Sequence, residues 1–345
     1  MKTIRWGIVG CGDVCEVKSG PAFQLARGSE LVAVMRRDAD LAADFARRHN
    51  VPFSTADARQ IIGNPDVDAV YIATPPGSHL EYALQVAAAG KPCYVEKPMA
   101  RSAAECLQMC EAFERAGAPL YVGFYRRGLQ RFQMAKWLID EGALGTVTGV
   151  SYRFLGRRDA NLDADNLPWR LRAADAGAGL FYDLGSHLLD AFDYIFGPLQ
   201  NVAGTAANRA TPQIEVEDSV SMSFKAMGAP GVGLWDFAAS RSLDLIEIYG
   251  DAGTLSMSCF GGDDLQLETA DGLQTLDGSA PQPVHGRLVQ TIVDELRGQG
   301  SALSTGRSAL RTMEAMDVVL DNYYGGRGDA FWTRPQYWPG NPNNK

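Results

Sequence analysis

A chain of 345 residues corresponds, at about 150 residues per domain, to roughly two domains. With 46% hydrophobic residues, 21% charged residues and a formal net charge of −9, it has a globular balance. That excludes a disordered chain and leaves no basic field for a nucleic-acid backbone or an anionic membrane. No stretch approaches the ~18 apolar residues of a spanning helix, and no secretion signal or anchor is read at the start. The six cysteines (Cys11, Cys15, Cys93, Cys106, Cys110, Cys259) form no C-x-x-C pair, so the expectation is a cytoplasmic protein with reduced, packed thiols and no metal.

Residues 3–9 (TIRWGIV) read as a strand ending in Gly10-Cys11-Gly12, followed by a helical stretch over 14–26 in which Pro21 marks a kink or restart. A second strand over 30–35 and a helix over 39–49, closed by Asn50 and Pro52, complete a β-α-β unit. The nearly continuous apolar run 67–73 predicts a strand covered on both faces, stopped by Thr74-Pro75-Pro76-Gly77. A helix over 79–89, a strand over 92–95, a helix over 103–116 and a strand over 119–124 continue the alternation. A helix over 131–140 comes next, and then β runs succeed one another at 147–154, 202–207, 219–224, 233–239, 244–249 and 253–257. Helices over 181–195, 287–296 and 308–323 accompany them. The fold class is therefore α/β: an N-terminal doubly wound parallel sheet of Rossmann type over 1–124, then an α+β domain with a mostly antiparallel sheet over 125–330. A Gly/Pro/Asn-rich tail, 331–345, closes the chain.

The turn after the first strand matches the front of a dinucleotide-binding loop. Gly10 makes the tight turn and Gly12 admits the pyrophosphate, with Cys15 at the third glycine position and Asp13 and Val14 between. The second strand delivers Arg36 and Arg37 where NAD-binding chains usually present a carboxylate. Paired guanidiniums suit the 2′-phosphate, so NADP is favoured with NAD possible; in the opposing reading the arginines are solvated and Asp38 takes the ribose. Glu96-Lys97-Pro98 places a lysine at the carboxyl edge of the sheet, where it can donate and accept a proton if its surroundings lower its pKa, with Glu96 to orient it. In Gly177-Ala178-Gly179-Leu180-Phe181-Tyr182-Asp183-Leu184-Gly185-Ser186-His187, Asp183 and His187 are i, i+4 and would stack on one helix face behind a glycine-rich entrance. Of the four histidines, His79 follows the Thr74-Pro75-Pro76 turn and is expected to line the cofactor cleft, while His49 and His285 are read as lacking functional neighbours.

Together the Gly10/Gly12 turn, Ala73-Thr74-Pro75-Pro76 with His79, Glu96-Lys97-Pro98, and Asp183 with His187 resemble the glucose-fructose oxidoreductase/inositol dehydrogenase (Gfo/Idh/MocA) family, in motif order along nearly the whole chain. Ala178 departs from that family's glycine run. The resemblance implies an open C-terminal sheet that mediates homodimers or homotetramers, and hydride transfer between nicotinamide and a sugar, cyclitol or other polyol, a diol or a carbonyl compound. Lys97 and His187 would exchange the hydroxyl proton, and Asp183 would position substrate or tune the histidine. Tyr125 with Arg126, and Trp169 with Arg170, would lie at the nicotinamide end. The resemblance implies cofactor contacts at Gly10, Gly12, Asp13, Val14, Arg36, Arg37, Thr74, Pro75, His79, Glu96, Lys97, Tyr125, Trp169 and Arg170. The charged loop 156–176, with Arg157, Arg158, Asp159, Asp163, Asp165, Arg170 and Arg172, would cover the substrate or simply be solvated. Two other readings stand beside the oxidoreductase: a non-catalytic dinucleotide-binding sensor, against which Lys97, Asp183 and His187 argue, and a glycosidase using tightly held NAD.

Overall fold

The computed structural model describes residues 2–157, 162–262, 264–279 and 282–344; Arg158 and Asp159 of the charged loop lie outside them. The first elements in chain order are β1 (Ile4–Val9), α1 (Asp13–Val17), α2 (Gly20–Leu25), β2 (Ser29–Met35), α3 (Ala39–Arg48), β3 (Phe53–Thr55), α4 (Ala58–Ile62), β4 (Ala69–Ile72), α5 (His79–Ala88), β5 (Cys93–Val95), α6 (Ala103–Ala116) and β6 (Leu120–Val122). They are followed by α7 (Gln130–Asp140), β7 (Val147–Arg157), α8 (Ala173–Ala176), a π-helical turn (Phe181–Gly185), α9 (Ser186–Phe196), β8 (Gln200–Ala207), β9 (Ser219–Ala226) and β10 (Ala229–Ala239). The last are β11 (Leu243–Gly250), β12 (Gly253–Met257), β13 (Leu265–Thr269), β14 (Gly272–Leu276), α10 (Gly286–Leu296) and α11 (Gly306–Tyr324).

Two units emerge. The first comprises residues 1–100, 105–128 and 281–310, the second 101–104, 129–280 and 311–345. This corrects the sequence-based division at residue 124, because the late segment 281–310 packs back into the first unit. The physical reason is α10, which buries Leu288, Val289, Ile292 and Val293 in the same core as Trp6, Phe23 and Tyr94.

In the first unit six parallel strands run in the order β3-β2-β1-β4-β5-β6, the doubly wound arrangement that crosses over beside β1. β4 is buried along its whole length, as a strand covered on both faces must be. Tyr71, Tyr94 and Tyr121 lie in register on three adjacent strands. The expected long first helix is two short ones. Gly20 permits the restart, since a Cβ there would lie 2.1 Å from the Cys15 carbonyl oxygen.

In the second unit eight strands follow the order β14-β13-β12-β11-β7-β10-β9-β8, antiparallel throughout except for the β10–β7 pair. Alternation along β9 and β10 buries every second residue, the pattern of a sheet with one covered face. In the described part of the Gly/Pro/Asn-rich tail, short 3₁₀ turns bury Phe331 and Trp338 around Tyr324.

Candidate functional site

The glycine turn stands at the carboxyl end of β1. Gly10 has φ +94°, and its N–H and that of Cys11 both donate to the Met35 carbonyl. A Cβ on Gly10 would strike Thr74, whereas a Cβ on Gly12 would meet nothing within 4 Å. The two glycines therefore serve different needs: the first lets the β1 and β4 turns pack, the second leaves open space above the turn. That space is what a dinucleotide pyrophosphate requires, so the residues present fit the cofactor. Asp13 is exposed and Val14 half-buried beside it, and Cys15 is fully buried. Burial pushes the Cys11 thiol up to about 11 and Cys15 higher still, so neither is a reactive thiolate.

At the end of β2, Arg36 is half-buried and Arg37 exposed. Asp38 caps α3, its Oδ1 accepting from the N–H groups of Asp40 and Leu41, both at 3.0 Å. A carboxylate oxygen so engaged is drawn toward the helix rather than toward a ribose.

His79 corrects an expectation. It is fully buried, its Nε2 2.6 Å from the Thr74 carbonyl and its Nδ1 3.1 and 3.2 Å from those of Pro98 and Met99. It braces the loops after β4 and β5 against each other and does not line the cleft, and burial keeps its pKa below the ordinary imidazole value. Thr74 is further held by the Ser78 hydroxyl, and Pro75 is exposed.

Lys97 is half-buried two residues beyond the end of β5. The Glu96 carboxyl is buried: Oε1 accepts from the Tyr71 hydroxyl at 2.5 Å and Oε2 from the Lys97 N–H at 3.1 Å. Its side chain is thus a brace beneath the lysine. Burial raises its pKa, with the Tyr71 hydrogen bond and the Lys97 charge opposing. His285 is the second correction, for it does have neighbours. It is buried against Tyr94, whose hydroxyl is 2.9 Å from Nδ1, and its ring lies 4.7 Å from that of Tyr125. The histidine is 191 positions from Tyr94 in sequence, so only the return of α10 reveals the group.

In the second unit the Asp183 motif begins not as an α-helix but as the π turn Phe181–Gly185, passing into α9 at Ser186. Asp183 thus stands in the π turn and His187 in the first turn of α9. Asp183 pairs with Arg170 at 3.3 Å, and that guanidinium lies 4.5 Å from the Trp169 ring centre, so Trp169 and Arg170 form one unit with the aspartate. His187 is buried with Phe260 at its edge. Elsewhere in the charged loop, Arg172 pairs with Asp175.

The glycines before the π turn are demanded by backbone. A Cβ on Gly177 would lie 2.7 Å from the Arg101 carbonyl oxygen, and one on Gly179 2.6 Å from that of Glu217. Glu217, which sequence reasoning did not single out, accepts from the Gly179 N–H with both oxygens, at 3.1 and 3.0 Å, and from the Tyr324 hydroxyl. Asp244, also missed, accepts from the N–H groups of Cys259, Phe260 and Gly261 and so fixes the turn that sets Phe260 beside His187. Neither acid sits in a local motif; each is recognised only by the distant backbone it holds. Among the described residues no cluster of His, Cys, Asp and Glu is arranged to hold a metal, and no helix is long and apolar enough to cross a membrane.

A doubly wound sheet with an open glycine turn and a lysine at its carboxyl edge defines a nicotinamide-dinucleotide oxidoreductase. Two family models match in succession: the oxidoreductase family, NAD-binding Rossmann fold, over residues 4–124 and the GFO/IDH/MocA C-terminal domain over residues 132–256. The chain is 34% identical over 316 residues to an oxidoreductase of Formosa agariphila, covering 91% of this chain and 98% of that one. It is 32% identical to the levoglucosan dehydrogenase of Pseudarthrobacter phenanthrenivorans, over 67% of this chain and 65% of that one. A solved levoglucosan dehydrogenase in complex with NADH superposes with a TM-score of 0.83 at 25% identity, covering 92% of this chain and 96% of that chain. This chain belongs to the GFO/IDH/MocA family of NAD(P)-dependent oxidoreductases.

Proposed function

We propose that this protein is an NADP-preferring oxidoreductase acting on a CH–OH or carbonyl carbon of a sugar-, cyclitol- or diol-like molecule. The observation that carries the cofactor reading is Arg36 and Arg37 at the end of β2 with Asp38 turned to capping α3. Two cations suit a 2′-phosphate that a carboxylate would repel. The substrate class is supported by the relative named for levoglucosan, an anhydrosugar.

Bound nicotinamide supplies the hydride acceptor or donor at C4. This chain's residues manage the proton: in oxidation Lys97 takes the substrate hydroxyl proton as hydride leaves the same carbon, and in reduction it returns it, with His187 as the second proton-handling group. Asp183, paired with Arg170, positions substrate hydroxyls. Self-association through the eight-stranded sheet belongs to the same reading, supported by Val232 and Leu234 exposed on β10.

Fluorescence titration of the purified protein with NADPH and NADH tests the cofactor reading. NADPH is expected to bind more tightly, and Arg36→Asp to reverse the order. Equal affinities, or a ratio unmoved by the substitution, would remove the role of Arg36. A screen of anhydrosugars, cyclitols and diols with NADP then tests the substrate class; turnover of none of them overturns that part.

A further inference from the structure

We propose that Arg327 is a positioning residue for the turn that carries Asp183: its buried guanidinium ties the Tyr182 ring in that turn to the Arg101 carbonyl, against which the glycine run is packed. The inference rests on the reading of Asp183 as the group that positions substrate. All of its geometry lies within the second unit. The Arg327 side chain is 1% exposed, and its Nε lies 2.9 Å from Oδ1 of Asp317 on α11. Oδ2 of the same carboxylate accepts from the Ala103 N–H at 2.8 Å, so the anchor is itself held. The guanidinium carbon stands 4.4 Å from the centre of the Tyr182 ring and 4.5 Å from that of Phe331, which comes from a 3₁₀ turn of the tail. Nη2 donates to the Arg101 carbonyl at 2.6 Å.

The backbone here needs such a hold. Gly177, at φ +94°, and Gly179 give the approach to the turn the conformational freedom of glycine, and the five-residue π turn has no side-chain cap at its start. A π turn is rare among helical forms, so contacts from outside it must stabilise it. Two converge on this one: Glu217 takes the Gly179 N–H, and Arg327 takes the Tyr182 ring. Arg327 also fixes the Arg101 carbonyl oxygen, which would stand 2.7 Å from a Cβ on Gly177, while Cε1 of the Tyr182 ring would stand 2.8 Å from it. One guanidinium thus holds both groups that crowd Gly177, and Asp183 follows Tyr182 directly. A cation between two rings, away from water, is a strong clasp that a neutral side chain of similar length cannot make.

Hydrogen–deuterium exchange of the full chain, read by mass spectrometry, tests this hold without cofactor or substrate, so its failure is distinct from failure of the proposed activity. Arg327→Met is expected to speed exchange in peptides covering 177–187 by at least about tenfold. Peptides over β12 and β1 should exchange as in wild type. Arg327→Lys, which keeps a cation beside the rings, should recover part of the protection. If Arg327→Met does not fold because Asp317 is left as an unpaired buried charge, Arg327→Met combined with Asp317→Asn carries the same expectation. That pair removes both charges and keeps an acceptor for the Ala103 N–H. With levoglucosan and NADP as probes, the folded variant should show KM raised about tenfold, kcat within about threefold of wild type and NADPH affinity unchanged. Unaltered exchange over 177–187 in a folded variant, acceleration spread evenly over the second unit, or a loosened turn with wild-type KM overturns the proposal. No turnover of levoglucosan by wild type counts against the substrate reading only, and the exchange result then decides.

Discussion

Gly10 and Thr74 are packed so closely that a Cβ on the glycine would lie 2.7 Å from the threonine Cγ2, and the φ of +94° at Gly10 adds a second obstacle to any side chain. Gly12, two residues on, has φ −103° and open space above it. The glycines thus separate a folding requirement from a binding one. Gly10→Ala is expected to destabilise the protein by about 1–3 kcal/mol, the cost of a strained backbone position, measured by urea unfolding. Gly12→Ala should leave stability within about 0.5 kcal/mol, as for a surface change. It should nevertheless weaken nucleotide binding at least about tenfold, because its methyl group occupies the approach to the turn. Unaltered nucleotide affinity in a folded Gly12→Ala protein would mean that the cofactor does not use this turn.

Lys97 has no substitute in its loop: Glu96 is turned inward and Pro98 carries no proton. Lys97→Ala is expected to reduce kcat by about 100- to 10,000-fold, the usual contribution of a general acid–base group. The dissociation constant for NADPH should stay within about threefold, since a dinucleotide is held mainly through its phosphates and ribose. Turnover near the wild-type value removes the lysine from the chemistry.

Glu217 holds the entrance to the π turn from below. Burial raises its pKa, while the Tyr324 hydroxyl and the Gly179 N–H oppose that shift. Glu217→Ala strips both donors of their partner at once in a buried place. The expected loss is about 2–4 kcal/mol of unfolding free energy, from unsatisfied buried polar groups at about 1–3 kcal/mol each. Glu217→Gln keeps an acceptor and should recover part of it. Loss of less than about 0.5 kcal/mol in Glu217→Ala would show that water replaces the carboxylate without strain.

Those contrasts explain what the sequence exposes. Gly10, Gly12, Lys97 and the apolar run that becomes β4 are legible because each depends on near neighbours in the chain: a turn, a strand end, a two-faced burial pattern. β3 and α4 escape because three and five residues are shorter than the windows over which alternation or a helical repeat can be read. Glu217, Asp244 and His285 escape for a different reason. Their partners lie 38, 15–17 and 191 positions away, and a single acid or histidine without a local pattern reads as an ordinary polar residue. The π turn Phe181–Gly185 is likewise invisible, since nothing in its residue types separates it from the α-helix that follows.

Glu16 ties the five-residue α1 to α3, accepting from Arg48 Nη2 at 2.6 Å and lying 2.8 Å from His49 Nε2. The Arg48 hydrogen bond holds its carboxyl at about 2, below the ordinary 4.5. In the unfolded chain it titrates at the ordinary value, so between these pH values the unfolded state binds more protons. The stabilisation is complete above about pH 5 and is lost as pH falls toward 2. With the Glu16 side chain 28% exposed and that of Arg48 45%, solvent screening limits the effect to about 0.5–1 kcal/mol. Wild type should therefore exceed Glu16→Gln by that amount in urea unfolding at neutral pH, and the difference should shrink steadily on acidification toward pH ~3. A difference independent of pH would assign the contribution of Glu16 to packing and remove the ion pair from the account of how the helix after the glycine turn is held.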